Sequence, residues 1–150
     1  MPPSIGLPFQ GIHDCWAPQR VNATAYKANL ATIYDAAHAA LAPGGKVVWT
    51  STTPIATNCG STKAPRGPCY GVAPECVAEY NQIAADLLGG KPDVVINDVY
   101  NAVLGVCGAK FETCTLQHQH DVHPSGPGKQ FLALELAATI APYLNRRLAP

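Results

Sequence analysis

Apolar residues in this chain repeat with two different periods. Tyr26, Leu30, Ile33, Ala37 and Leu41 recur at spacings of three and four, which places them on one face of a helix over residues 24–41. Asn22 or Thr24 can cap its start, and Pro43-Gly44-Gly45 stops it. Lys46-Val47-Val48-Trp49-Thr50 follows at once, a short β-branched run after a glycine turn, and reads as a buried strand. A second helical period over residues 75–88 gathers Val77, Tyr80, Ile83, Ala84, Leu87 and Leu88, and Gly89-Gly90 ends it. Residues 92–97 predict another strand and residues 98–106 a short helix. Residues 108–127 read as an irregular loop rich in His and Gln. A last helix over 129–141 would turn Phe131, Leu132, Leu136 and Ile140 inward and Glu135 towards its wetter side. Pro142 should end or kink it, although Leu144 continues the apolar spacing. The apolar stretch 4–9 is a candidate first strand. Residues 51–72 form a long loop with prolines and cysteines, a length that usually marks function or disorder; two cysteine anchors favour function.

Strands and helices that alternate with short turns predict an α/β domain: a parallel sheet with helices on its faces. In such sheets ligands bind beyond the carboxyl ends of the strands. That rule selects Gly11-Ile12-His13-Asp14 after the first strand, the long loop after the second and Asn97-Asp98 after the third. It also selects the His-rich loop, which enters the last helix at the same edge. No internal repeat or domain boundary interrupts residues 1–150.

Composition removes several classes. The net charge is zero and only 13% of the 150 residues are charged. No basic stripe argues for nucleic acid or an anionic membrane surface. No apolar run is long enough to span a bilayer, and Met1-Pro2-Pro3-Ser4 opens no secretion signal. Cys15, Cys59, Cys69, Cys76, Cys107 and Cys114 are even in number and lie among Gly- and Pro-rich loops. That points to disulfides and an oxidising compartment, hence secretion or the secretory lumen. Cys107–Cys114 and Cys59–Cys69 are the plausible local pairs. Buried free thiols are the alternative, and a zinc site is disfavoured because no CxxC pair occurs. Asn22-Ala23-Thr24 is a glycosylation sequon, meaningful only if the protein is exported.

Two segments could carry chemistry. In Gln117-His118-Gln119-His120-Asp121-Val122-His123-Pro124-Ser125-Gly126 an acid and a histidine precede a Gly-containing turn and a helix. A carboxylate beside a histidine can fix its tautomer and stabilise its charged form, as a general base requires. A solvated, His-rich surface loop explains the same composition. Phe9-Gln10-Gly11-Ile12-His13-Asp14-Cys15 ends a strand on a glycine followed by polar groups, which suits backbone approach to a ligand; an ordinary strand-to-loop turn reads the same way. A third possibility is a metal-binding module, since His118, His120, Asp121 and His123 cluster N and O ligands suited to zinc or copper.

In this order the two segments resemble the SGNH/GDSL hydrolase superfamily of serine esterases, whose third block is Gly-x-Asn-Asp and whose fifth is Asp-x-x-His before the last helix. The likeness is closer to a subgroup reading Gly-Leu-His-Asp. That subgroup also resembles Val48-Trp49-Thr50-Ser51-Thr52-Thr53-Pro54, Tyr80-Asn81-Gln82-Ile83-Ala84, Ile96-Asn97-Asp98-Val99-Tyr100 and Val122-His123. The likeness runs from about Phe9 to Ile140. It implies a three-layer α/β/α, flavodoxin-like fold with three of five strands present here. It implies hydrolysis of acyl or acetyl esters, of small molecules or carbohydrates, with no cofactor and no resident metal. In that scheme His123 takes a proton from a serine, Asp121 orients His123, and Gly11, His13 and Asp14 serve the oxyanion and substrate side.

The chain departs from the family at three points. His13 replaces the block-three asparagine. His120 stands where the block-five acid should be, with Asp121 one residue later. No Gly-Asp-Ser block occurs, and Ser4, Ser51, Ser61 and Ser125 lie in no nucleophile-elbow context. Ser125 reads instead as a helix cap. The expectation is therefore an esterase piece, inactive alone, in which residues 4–9 form an open sheet edge available for self-association. A non-catalytic binding remnant of the same fold is the remaining alternative.

Overall fold

The computed structural model describes residues 5–6, 11–16, 20–55, 72–108, 111–118 and 121–144. Among the described residues the elements run β1 (Ile5–Gly6), α1 (Ala23–Ala39), β2 (Lys46–Thr50), α2 (Pro74–Leu88), β3 (Val94–Asn97), α3 (Val99–Cys107) and α4 (Gly126–Leu144), with a 3-10 turn at Phe111–Thr113. The three strands form one parallel sheet in the order β1-β2-β3. The main ladder pairs Val47 with Val94, Val48 with Val95, Trp49 with Ile96 and Thr50 with Asn97. The α/β class and the parallel sheet read from the sequence are both present. Among the described residues no helix is long and apolar enough to cross a membrane.

Side chains of a strand alternate between its two faces. Val47 and Trp49 join one buried cluster with Tyr26, Leu30 and Tyr34 of α1 and Val77, Tyr80, Ala84 and Leu88 of α2. Tyr26 stacks on Tyr80 with ring centroids 4.2 Å apart, which locks the two helices together over β2. Full burial of Leu88 and Val77 contributes about 1.5–3 kcal/mol each. Thr50 and Asn97 lie on the other face. There the Thr139 hydroxyl of α4 donates to Asn97 Oδ1 at 3.1 Å, and Asn97 Nδ2 donates to Thr50 Oγ1 at 3.3 Å. The buried Asn97 amide is thus satisfied on both sides, as a buried polar group must be.

Local sequence explains the ends of the elements. Asn22 caps α1, its Oδ1 accepting from the Ala25 amide at 2.9 Å. Gly44 takes φ +77 in the turn that separates α1 from β2, a conformation costly for residues with a Cβ. Asn22→Ala should lower stability by about 1 kcal/mol. A urea midpoint unchanged from the parent would show that the cap contributes nothing.

Several expectations need correction. The buried row of α1 is Tyr26, Leu30 and Tyr34, whereas Ile33 is 44% exposed. The residues at strict four-residue spacing face the sheet; Ile33 lies a turn-fraction away from them. α4 starts at Gly126 rather than Lys129, because Ser125 caps it, and it runs two residues beyond Pro142. Phe131 and Leu132 do pack against the core, as partly buried residues, and Glu135 is half-buried.

Cys107–Cys114 forms the expected local disulfide, and Cys15 pairs with Cys76. The expected Cys59–Cys69 pair lies outside the described residues, as do Ser4 and Ser61.

Candidate functional site

The carboxyl ends of the strands are tied together by short polar side chains. Thr52 stands two residues beyond β2. Its amide donates to Asn81 Oδ1 and its carbonyl accepts from Asn81 Nδ2, both at 2.8 Å. The Thr52 hydroxyl in turn accepts from the Gly11 amide at 2.8 Å. Next to it, Ser51 Oγ donates to Asp98 Oδ1 at 3.1 Å and accepts from the Tyr100 amide at 2.8 Å. The turn after β1, the loop after β2 and the turn after β3 therefore share one rim.

Gly11 is buried against α1 there. A Cβ at this position would stand 3.3 Å from the Tyr26 hydroxyl, tighter than ordinary van der Waals contact. His13 is exposed and Asp14 half-buried. Burial pushes the Asp14 carboxyl above its usual range, and the neighbouring His13 works against that rise. Asp14 is anchored through its carbonyl, which accepts from the Val21 amide at 3.0 Å, and through Cys15, which is bonded to Cys76 of α2.

The His-rich loop closes on itself. Gln117 and Pro124 form an isolated antiparallel bridge, the Ser125 amide donates to the Leu116 carbonyl at 3.0 Å, and Ser125 Oγ donates to the Thr115 carbonyl at 2.5 Å. Ser125 Oγ also accepts from the Gly128 amide at 3.1 Å, so one residue both closes the neck of the loop and caps α4. Between the two sides of that neck, Asp121 Oδ1 lies 2.7 Å from His123 Nδ1 and also accepts from the Val122 amide at 2.6 Å. Burial pushes the Asp121 carboxyl up, but the bond from the His123 ring, the Val122 amide and the nearby imidazole outweigh it. The carboxyl therefore sits below its usual range and stays ionised. An ionised carboxylate on Nδ1 favours the tautomer whose other nitrogen, Nε2, can accept a proton. The His123 side chain is 68% exposed and that of Asp121 31%.

The loop meets the same rim as Gly11. Val122 and Pro124, which flank His123, share a small crevice with Thr53 and Pro54, the residues that follow Thr52. That crevice holds only about 10 Å³, room for about one water molecule. It is a packing seam rather than an acyl pocket.

Asp121 thus reaches His123 from two residues away, without the three-residue spacing of the family pattern. Neither described serine is placed as a nucleophile: Ser51 and Ser125 are buried, with both hydroxyls committed to hydrogen bonds. The sequence reading missed Thr52 and Asn81 as the residues that hold the rim. Their only sequence signal was membership of two of the quoted short motifs. Trp49 is core, as expected, and Trp16 packs against that core while bridging to Val72. Among the described residues no group of three or more His, Cys, Asp or Glu could hold a metal ion; His120, part of the metal alternative, lies outside them. Comparison with protein-family models, with curated proteins and with solved structures finds no match.

Proposed function

We propose that this chain supplies the base half of an SGNH/GDSL-type serine esterase acting on acyl or acetyl esters. The single observation that carries the reading is the 2.7 Å contact between Asp121 and His123, on a loop that abuts the rim holding Gly11. The architecture of that reading is a three-layer, flavodoxin-like α/β/α domain, with α1 and α2 on one side of the sheet and α4 on the other.

In the proposed reaction a serine hydroxyl attacks the ester carbonyl and passes its proton to His123 Nε2. Asp121 stabilises the imidazolium, which then protonates the leaving alkoxide. Gly11 and His13 face the developing oxyanion. The Gly11 amide would reach it only by exchanging the Thr52 hydroxyl for it, so His13, whose neutral ring carries one N–H, is the readier donor. Asp14 shapes the substrate side. The serine must come from another polypeptide segment, because no Gly-Asp-Ser block occurs in this sequence. Two disulfides fit an oxidising compartment, and the reading places the protein in the secretory pathway or outside the cell.

The test is a fusion. A strand unit ending in Gly-Asp-Ser, joined ahead of residue 1, should give turnover of p-nitrophenyl acetate and labelling by a fluorophosphonate. His123→Ala should lower that turnover by at least 10³-fold, on the order of the loss seen when a triad histidine is removed. A soluble, folded fusion without turnover would end the esterase reading.

A further inference from the structure

A second histidine–aspartate pair sits at the opposite end of the sheet. His38, in the last turn of α1, places Nδ1 2.8 Å from Asp93 Oδ2. Tyr34, one turn earlier, donates its hydroxyl to Asp93 Oδ1 at 2.8 Å. Asp93 lies just before β3, and its carbonyl accepts from the Val47 amide at the start of β2 at 2.9 Å. One residue therefore joins the end of α1, through its carboxylate, to the start of β2, through its carbonyl, just ahead of β3. Beside it runs an open groove of about 360 Å³, walled by the α1–β2 turn on one side and by Pro92 and Asp93 on the other.

Two cations and a second acid stand around this carboxylate. Lys91 places its ammonium 4.1 Å from the centre of the Tyr34 ring. Lys46 lines the groove, donates to the Pro92 carbonyl at 2.7 Å, and faces the Tyr143 ring of α4 at 5.8 Å. Asp35 is the other acid that acts on Tyr34, from the outer side of α1. At neutral pH two ammonium groups and two carboxylates offset each other. Neutralising Asp93 removes the carboxylate that offsets the Lys46 and Lys91 ammonium groups.

We propose that Tyr34, His38 and Asp93 form an acid-released latch that holds the end of α1 against the base of the sheet and lets it go when Asp93 is neutralised. The inference does not rest on the esterase reading. Its direction follows from linkage. Burial pushes the Asp93 carboxyl up, but its bonds from His38 and Tyr34 hold it below its ordinary range. A carboxylate depressed in the folded state stabilises above its unfolded pKa, and that contribution is lost as pH falls through the folded one. Opening is thus expected on the acid side of the usual carboxylate range.

Amide hydrogen exchange between pH 7 and pH 3 tests this in the full chain. The Val47 and Val94 amides, bonded at the base to the Asp93 and Lys91 carbonyls, should lose protection at higher pH than the Ser51 amide, bonded at the far end to the Asn97 carbonyl. Asp93→Asn should expose the basal amides at pH 7, about tenfold or more, and flatten their pH dependence. Lys91→Met, which removes the cation packed on the Tyr34 ring and leaves the carboxylate, should move opening to higher pH, because a nearby cation favours the ionised carboxylate and the ring contact braces Tyr34. Loss of protection at Val47, Val94 and Ser51 together would overturn the latch, because only global unfolding would then occur. An unchanged opening pH in Lys91→Met would overturn it too, even if Asp93→Asn failed to fold.

Discussion

Gly128→Ala is expected to lower stability by about 3 kcal/mol, near the upper end for forcing extra volume into a packed site. Gly128 is the one buried residue of α4. A Cβ there would run into the Leu116 carbonyl oxygen and stand 2.8 Å from its carbon. Leu116 is not a flexible side-chain tip that can move aside. Its carbonyl already accepts from the Ser125 amide at the neck of the His-rich loop. The methyl must therefore push the neck away from α4 or shift the first turn of the helix. Either motion strains Ser125, which bonds both Thr115 and Gly128. The expected readouts are a lower urea midpoint and weaker coupling between Asp121 and His123 in NMR of the imidazole. Gly126→Ala is the control, since a Cβ there meets nothing within 4 Å and should change stability by less than about 0.5 kcal/mol. Equal midpoints for the two variants would sink the claim that this close approach fixes the loop.

That contact marks where the sequence stops being legible. β2 was readable to the residue, because Lys46-Val47-Val48-Trp49-Thr50 is a β-branched run between a glycine turn and a polar stretch. The helices were readable to within a few residues, since periodicity locates a face better than it locates an end. Ile33 shows the limit: it matched the apolar spacing, yet the twist of α1 over β2 buries Tyr34 instead. The Asp121–His123 pair was legible because both partners lie in one short segment. The Asp93–His38 pair was not, because its members are 55 residues apart and only the return of β3 beside β2 brings them together. The same reasoning separates the cysteines. Cys107 and Cys114 are near neighbours and were paired by proximity, whereas nothing in the sequence singled out Cys76 as the partner of Cys15.

The Cys15–Cys76 bond should be the costliest single link to remove. It closes a sequence separation of 61, against 7 for Cys107–Cys114. If a disulfide acts mainly by restricting the unfolded chain, the longer closure contributes about 4 kcal/mol and the shorter about 2 kcal/mol. Packing widens the gap. Cys15 and Cys76 are almost fully buried, in one cluster with Tyr26, Tyr80 and Val77, so replacing both by Ala also leaves a small void at the junction of α2 with the Gly11 turn. Cys107 and Cys114 are only partly buried. Cys15→Ala/Cys76→Ala is therefore expected to lose about 4 kcal/mol or more, a large share of the total for a domain of this size. It should also release the Gly11 turn from α2, raising exchange at the Gly11 amide that Thr52 holds. Cys107→Ala/Cys114→Ala should lose about half as much and leave Gly11 protected. Urea midpoints of the two double variants decide the point. If they fall equally, chain closure and burial are not what the Cys15–Cys76 bond adds, and the rim at Gly11 must be held by Thr52 and Asn81 alone.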